Sequence, residues 1–211
     1  MDDIDNLIAT LAQDAQPVKS AAHPFVLCVK WIAASLGYLV VALAVSGLRP
    51  DWADRLHAAP FAMEIAALFA VFASTMLATA LLAFPDQHQK GRLLFAPPLA
   101  FSLFALTMYF AWRQDVPPAP LPVHSVECTL GITMMALLPS LWMLYLMRNY
   151  ASTRGRLAGC NALLASFSIG ALWLRLHEVN DSIVHVIEWH YLPMLAIGVI
   201  GLWLGGRLLK W

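Results

Sequence analysis

The sequence predicts an all-α integral membrane protein: six transmembrane helices, antiparallel neighbours and both termini in the cytoplasm. Three observations lead there. Hydrophobic residues make up 60% of the 211 positions and charged residues only 12%, about half of the roughly 25% charge typical of a soluble domain. Six apolar stretches reach the ~20 residues that a helix needs to cross a bilayer. Basic residues are also divided unevenly between the two sets of connections. The formal net charge is zero, so nothing points to direct nucleic-acid binding.

Residues 1–22 read as a cytoplasmic tail and residues 23–211 as a transmembrane domain with outer loops. In the tail, Ile4, Leu7, Ile8 and Leu11 recur at helical spacing and form one apolar stripe. Asp2, Asp3 and Asp5 stand at the start, where carboxylates suit a helix N-terminus. Pro17 is the expected stop. A helix of about a dozen residues is marginal alone in water, so this one needs a partner. Up to Ser20 the tail carries four aspartates and one lysine. That charge disfavours an anionic inner leaflet and suits a groove on a basic protein. The acidic, interrupted start MDDIDNLIATLAQD predicts no cleavable signal peptide.

The spans follow in order: Phe25 to Leu48, Phe61 to Phe84, Leu93 to Trp112, Val126 to Met147, Leu157 to Leu176, and Val186 to Gly206. Membrane lipid is their surrounding partner. Pro139 and Pro193 are expected kinks, and Gly198, Gly201 and Gly205 near one face of the last span predict close helix packing. With the N-terminus inside, the inner side holds nine basic residues: Lys19, Lys30, Lys90, Arg92, Arg148, Arg154, Arg156, Arg207 and Lys210. The outer side holds four: Arg49, Arg55, Arg113 and Arg175. This bias follows the positive-inside rule.

On the outer face, His124, Glu127 and Cys128 share one helical face at the start of the fourth span. His177 and Glu178 end the fifth span, and His185, Glu188 and His190 open the sixth. Imidazole, carboxylate and thiolate together suit zinc or copper at the periplasmic face, though the sequence requires no cofactor. A plainer reading fits the same residues. In one continuous helix, Glu178, Asp181, His185 and Glu188 would form a polar stripe, as on a short helix lying on the membrane. Haem is disfavoured because none of the seven histidines lies mid-span. A small transporter is disfavoured because Glu64 is the one carboxylate near a span interior. The three cysteines, Cys28, Cys128 and Cys160, are too few and too scattered for a disulfide scaffold or a CxxC motif. Cys28 and Cys160, near the inner boundary, are expected to be structural.

Several pieces resemble one family, the NrsF-like membrane anti-sigma factors. DNLIATLAQDAQPV resembles its short N-terminal segment, and CTLGITMMALLPSLWMLYLMRNYA its fourth span. RLAG, a small-residue helix, LH, a polar segment, a Trp and the closing GGRLLKW resemble its C-terminal third. The resemblance implies a regulator, not an enzyme, in the bacterial inner membrane. Its cytoplasmic side would hold an extracytoplasmic-function sigma factor. The family carries two outer cysteines that sense oxidative or metal stress. Cys128 matches the first, but Glu178 stands where the second would follow LH. A dithiol switch within one chain is thereby excluded. A metal held by Cys128, His177 and Glu178, with His124 or His190, is the expected replacement, and oxidation of Cys128 to sulfenic acid or a disulfide between two chains is the alternative.

Overall fold

The computed structural model describes residues 2–13, 23–85, 87–114 and 125–210. Its elements are α1 (Asp2–Gln13), α2 (Pro24–Ser46), α3 (Trp52–His57), α4 (Ala59–Leu82), a 3-10 helix (Gln87–Phe95), α5 (Ala96–Gln114), α6 (Val126–Met147), α7 (Gly155–His177), α8 (Ile183–His185), a π-helical turn (Val186–Tyr191) and α9 (Pro193–Leu208). No strand occurs among the described residues. Six segments are long and apolar enough to cross a membrane, at Pro24–Ser46, Ala59–Leu82, Gly91–Gln114, Val126–Met147, Gly155–His177 and Ile183–Leu208. The expected spans are present, the fourth with the same ends and the other five with shifted ends. Two shifts have a proline as their cause. Pro97 and Pro98 lack N–H groups and suit only the first turn of a helix, so α5 starts at Ala96 and 3-10 backbone precedes it. In the last span, regular helix starts only at Pro193.

Small residues make α7 the central helix. It touches α2, α4, α6 and α9, and its Ala158, Gly159, Ala162, Ser166 and Gly170 are buried. A Cβ on Gly159 would lie 2.5 Å from Gly201 O, and one on Gly201 would lie 2.7 Å from Cys160 Cα. The backbones of α7 and α9 therefore touch as the glycine spacing predicts, with Gly205 against Gly155. Large apolar side chains point outward instead, among them Val40, Val45, Leu99, Leu103, Met134, Leu141, Leu195 and Val199. Such a surface suits lipid, not water. Cys28 is buried, and all three cysteines are free thiols.

Both interior prolines free a carbonyl that another segment satisfies. Proline has no N–H to donate to the carbonyl four residues back, and an unpaired carbonyl in lipid is costly. For Pro139 that carbonyl belongs to Met135, and Tyr38 Oη of α2 donates to it at 3.1 Å. For Pro193 it belongs to Trp189, and Thr129 Oγ1 of α6 donates to it at 2.6 Å. α6 runs unbroken through Pro139. A Tyr38→Phe substitution should therefore cost about 0.5–1.5 kcal/mol, read as a lower thermal midpoint in detergent. In a Tyr38→Phe, Pro139→Ala double variant the restored N–H should recover part of that loss.

The tail helix α1 forms over Asp2–Gln13, while Pro17 lies outside the described residues. Ile4, Leu7, Ile8 and Leu11 are all exposed on it, and so is Asp5. Of Asp2 and Asp3, the structure describes only their backbone.

Candidate functional site

One end of the bundle gathers the C-terminal ends of α2 and α7 with the N-terminal ends of α4, α6 and α9. Arg49 N donates to Leu176 O at 2.9 Å there, joining the ends of the first and fifth membrane spans. α7 finishes at His177, and Glu178 leaves it in extended conformation, φ −82° and ψ 142°. This turns the carboxylate inward. Asn180 Oδ1 accepts from Ser182 N at 3.0 Å and starts the turn into α8. The continuous interfacial helix that the polar stripe suggested is therefore absent: the chain is extended at Glu178, and His185 and Val186 are buried, not surface-facing.

The π turn brings two histidines together. Positions five apart on an α-helix point about 140° apart at 3.6 residues per turn. The wider π turn, with Leu192 N bonded to Ile187 O at 2.8 Å, brings position 190 round to the side of position 185. Their rings meet edge to face, 5.0 Å apart. Single π turns of this kind recur at functional sites.

Cys128, Glu178, His185 and His190 form one cluster, with a candidate ligand atom from each lying within 4.8 Å of the others. Cys128 Sγ is 3.7 Å from both Glu178 oxygens and 3.6 Å from His185 Nε2. Glu178 Oε1 lies 3.4 Å from His185 Nε2, and Oε2 lies 3.1 Å from His190 Nε2. His190 is fully buried, yet neither of its ring nitrogens makes an aligned hydrogen bond, and His185 Nδ1 is likewise unpaired. Buried imidazole nitrogens without partners are costly. One sulfur, two nitrogens and a carboxylate are a donor set that tetrahedral zinc accepts. Burial pushes the Glu178 carboxyl up, but the neighbouring His190 and the charge of His185 outweigh it and hold the group below its ordinary range.

The other sequence candidates lie elsewhere. His177 stacks on Trp173 at 5.4 Å and its Nδ1 contacts Gly47 O at 2.8 Å, so it is not in the ligand set. Glu127 is exposed in the first turn of α6, outside the cluster. His124 lies outside the described residues. His185, a secondary candidate from sequence, is at the centre.

Beside the cluster runs an ionic network that sequence reasoning missed. Arg175 forms a fork with Glu64, Nε to Oε1 at 2.6 Å and Nη2 to Oε2 at 2.9 Å. Tyr191, next to His190 of the cluster, donates to Glu64 Oε1 at 2.5 Å. Arg49 donates to Asp181 from Nη1 and Nη2 at 2.9 and 2.8 Å, and to Asp51 from Nε at 2.7 Å. Phe61 offers its ring to both guanidinium groups, at 5.4 Å from Arg49 and 5.0 Å from Arg175. Burial pushes the Asp181 carboxyl up, yet Arg49, Arg175 and Arg55 outweigh it and keep it below the usual range. Arg49 and Arg175, counted from sequence only as outer-side cations, are only 1% and 3% exposed. The available signal was position: an arginine in the last turn of one span and a glutamate in the first turn of another face the same end.

Fold and site together define a multi-span membrane protein with a buried cluster of ligand-type side chains at one end. Comparison with known proteins gives its family. The profile of the family described as "NrsF: Negative regulator of sigma F" matches residues 11–211, and the chain belongs to that family. It is 27% identical to the probable anti-sigma-F factor NrsF of Azospira oryzae, over 98% of this chain and 99% of that one. It is 34% identical to the anti-sigma-F factor NrsF of Caulobacter vibrioides, over 48% of this chain and 42% of that protein. No solved structure matches the chain.

Proposed function

We propose that this chain is an anti-sigma factor of the bacterial inner membrane that holds an extracytoplasmic-function sigma factor on its cytoplasmic side. It releases that partner when a zinc- or copper-class ion binds at the periplasmic end. The observation that carries the signal side is the convergence of Cys128 and Glu178 with two buried imidazoles, three of whose four ring nitrogens lack an aligned hydrogen bond. The family supports the regulatory class, with a sigma factor as its protein partner. Charge supports the orientation. At the cluster end, Arg49, Arg55 and Arg175 are tied to carboxylates. At the opposite end, Arg148, Arg154, Arg156 and Lys210 have no ion pair among the described residues. Basic residues gather on the inner side.

The path from ligand to partner follows covalent and hydrogen-bonded neighbours. An ion held by His190 would pull on the π turn, and Tyr191 in that turn is bonded to Glu64 of α4, which is bonded to Arg175 of α7. An ion biases the bundle only if it binds one packing more tightly than the other. Partner binding falls to α1, whose exposed stripe of Ile4, Leu7, Ile8 and Leu11, beside Asp2, Asp3 and Asp5, matches an apolar groove with a basic rim. Co-purification tests this assignment. The full chain should retain the sigma factor, and a variant lacking residues 2–13 should lose most of it while keeping its thermal midpoint. Equal retention by both would overturn the tail assignment.

A further inference from the structure

The end of the bundle opposite the cluster holds a pocket of about 720 Å³ between the start of α7 and the end of α9. Ser152, Arg154, Gly155, Arg156, Gly206 and Lys210 are among the residues that line it. We propose that it is a binding site for the phosphate of an anionic phospholipid headgroup. This inference goes beyond the metal reading and does not rest on it.

Three independent features point to an oxyanion. First, Arg154, Arg156 and Lys210 bring three cations, and no carboxylate lines the pocket among the described residues. The stem of Arg156 is seated over α9 because position 206 is glycine: a Cβ there would lie 3.0 Å from Arg156 Cγ and 3.2 Å from its Nε. Second, the 23-residue α7 begins here with no side-chain cap and no acidic residue in its first turn. Its first N–H groups and the positive end of its dipole therefore face the pocket mouth. Third, Ser152 is only 4% exposed and its Oγ has no hydrogen-bond partner. A buried hydroxyl in the wall of a cationic pocket, lacking an acceptor, calls for a ligand that brings one.

Location favours a lipid as the source of the phosphate. The pocket sits where two apolar spans end, at headgroup depth, and the exposed Leu157 and Leu208 continue from it along α7 and α9. A headgroup phosphate can occupy the cationic pocket while its acyl chains follow those side chains. Basic pockets between transmembrane helices recognise anionic headgroups in this way.

Native mass spectrometry of the full chain in neutral detergent tests the proposal, with phosphatidylglycerol, phosphatidylcholine and inorganic phosphate as probes. Wild type should retain one phosphatidylglycerol in preference to phosphatidylcholine, and millimolar inorganic phosphate should not displace it. An Arg154→Gln, Lys210→Gln double variant should bind that lipid on the order of tenfold more weakly, and Ser152→Ala should weaken it by a smaller factor. Arg148→Gln, which removes a cation outside the pocket, should bind as wild type does, and an unchanged thermal midpoint in each variant establishes folding. Displacement by inorganic phosphate would make this a free-phosphate site and overturn the lipid assignment. Equal lipid retention by wild type and the double variant would overturn it as well. So would a double variant that keeps the lipid but loses the sigma factor, which would make the pocket a protein contact.

Discussion

Purified full-length protein is expected to bind one zinc(II) ion per chain, and Cys128→Ser or His190→Ala should weaken that binding severely. Removing a ligand should cost more than the roughly 10- to 100-fold that loss of an outer-shell partner costs. The cluster's thiol and carboxylate approach within 3.7 Å, an unfavourable pairing once both are anions, and a divalent ion between them reverses the sign of that interaction. Metal-content analysis of wild type and both variants checks the claim. Cobalt(II) provides a second readout, because thiolate-to-cobalt absorption should appear in wild type and be missing from Cys128→Ser. Affinity should weaken as pH falls, since imidazole and thiol ligands must shed protons to bind. Glu178, already held below its ordinary range, should not limit binding near neutrality. His177→Ala should leave the metal content unchanged, because that ring is engaged with Trp173 and Gly47.

The second large effect is expected at Arg175. Replacing it with methionine leaves Glu64 buried, with only Tyr191 to offset its charge. Breaking one side of a buried ion pair costs about 3–5 kcal/mol, so the thermal midpoint of Arg175→Met in detergent should drop sharply. A Glu64→Leu, Arg175→Met double variant should recover much of the loss, because removing both charges leaves neither unpaired. Its sigma-factor retention should then no longer respond to the ion, since the connection from Tyr191 to α4 and α7 is gone. Recovery of stability with an intact response would place the coupling path elsewhere.

Much of the fold was legible because lipid imposes a blunt rule: every span must be apolar and about 20 residues long. Val126–Met147 was predicted to the residue. Glycine spacing on the last span foretold a close helix contact, which α7 makes, for a similarly simple reason, that only small residues let two backbones touch. The site was less legible. Cys128, Glu178, His185 and His190 all stood out as ligand-type residues, but which of them converge depends on backbone geometry that side-chain spacing does not encode. A regular helix would have separated His185 from His190. The π turn ahead of Pro193 and the extended Glu178 bring both to Cys128. His177 was excluded by its own neighbours, Trp173 and the Gly47 carbonyl, which are remote in sequence. The pairing of Arg49 and Arg175 with Asp181 and Glu64 was hidden similarly, since each cation lies more than 100 positions from one of its carboxylate partners.

In the proposed mechanism an ion at one end of the bundle controls a partner held at the other. Zinc(II) titration of the purified complex between the full chain and its sigma factor tests this most directly, with released sigma factor as the readout. Wild type should release its partner over the concentration range in which it binds the ion, and His190→Ala should retain it throughout. Release at the same zinc concentration from both proteins, or zinc binding to wild type with no release at all, would contradict the account.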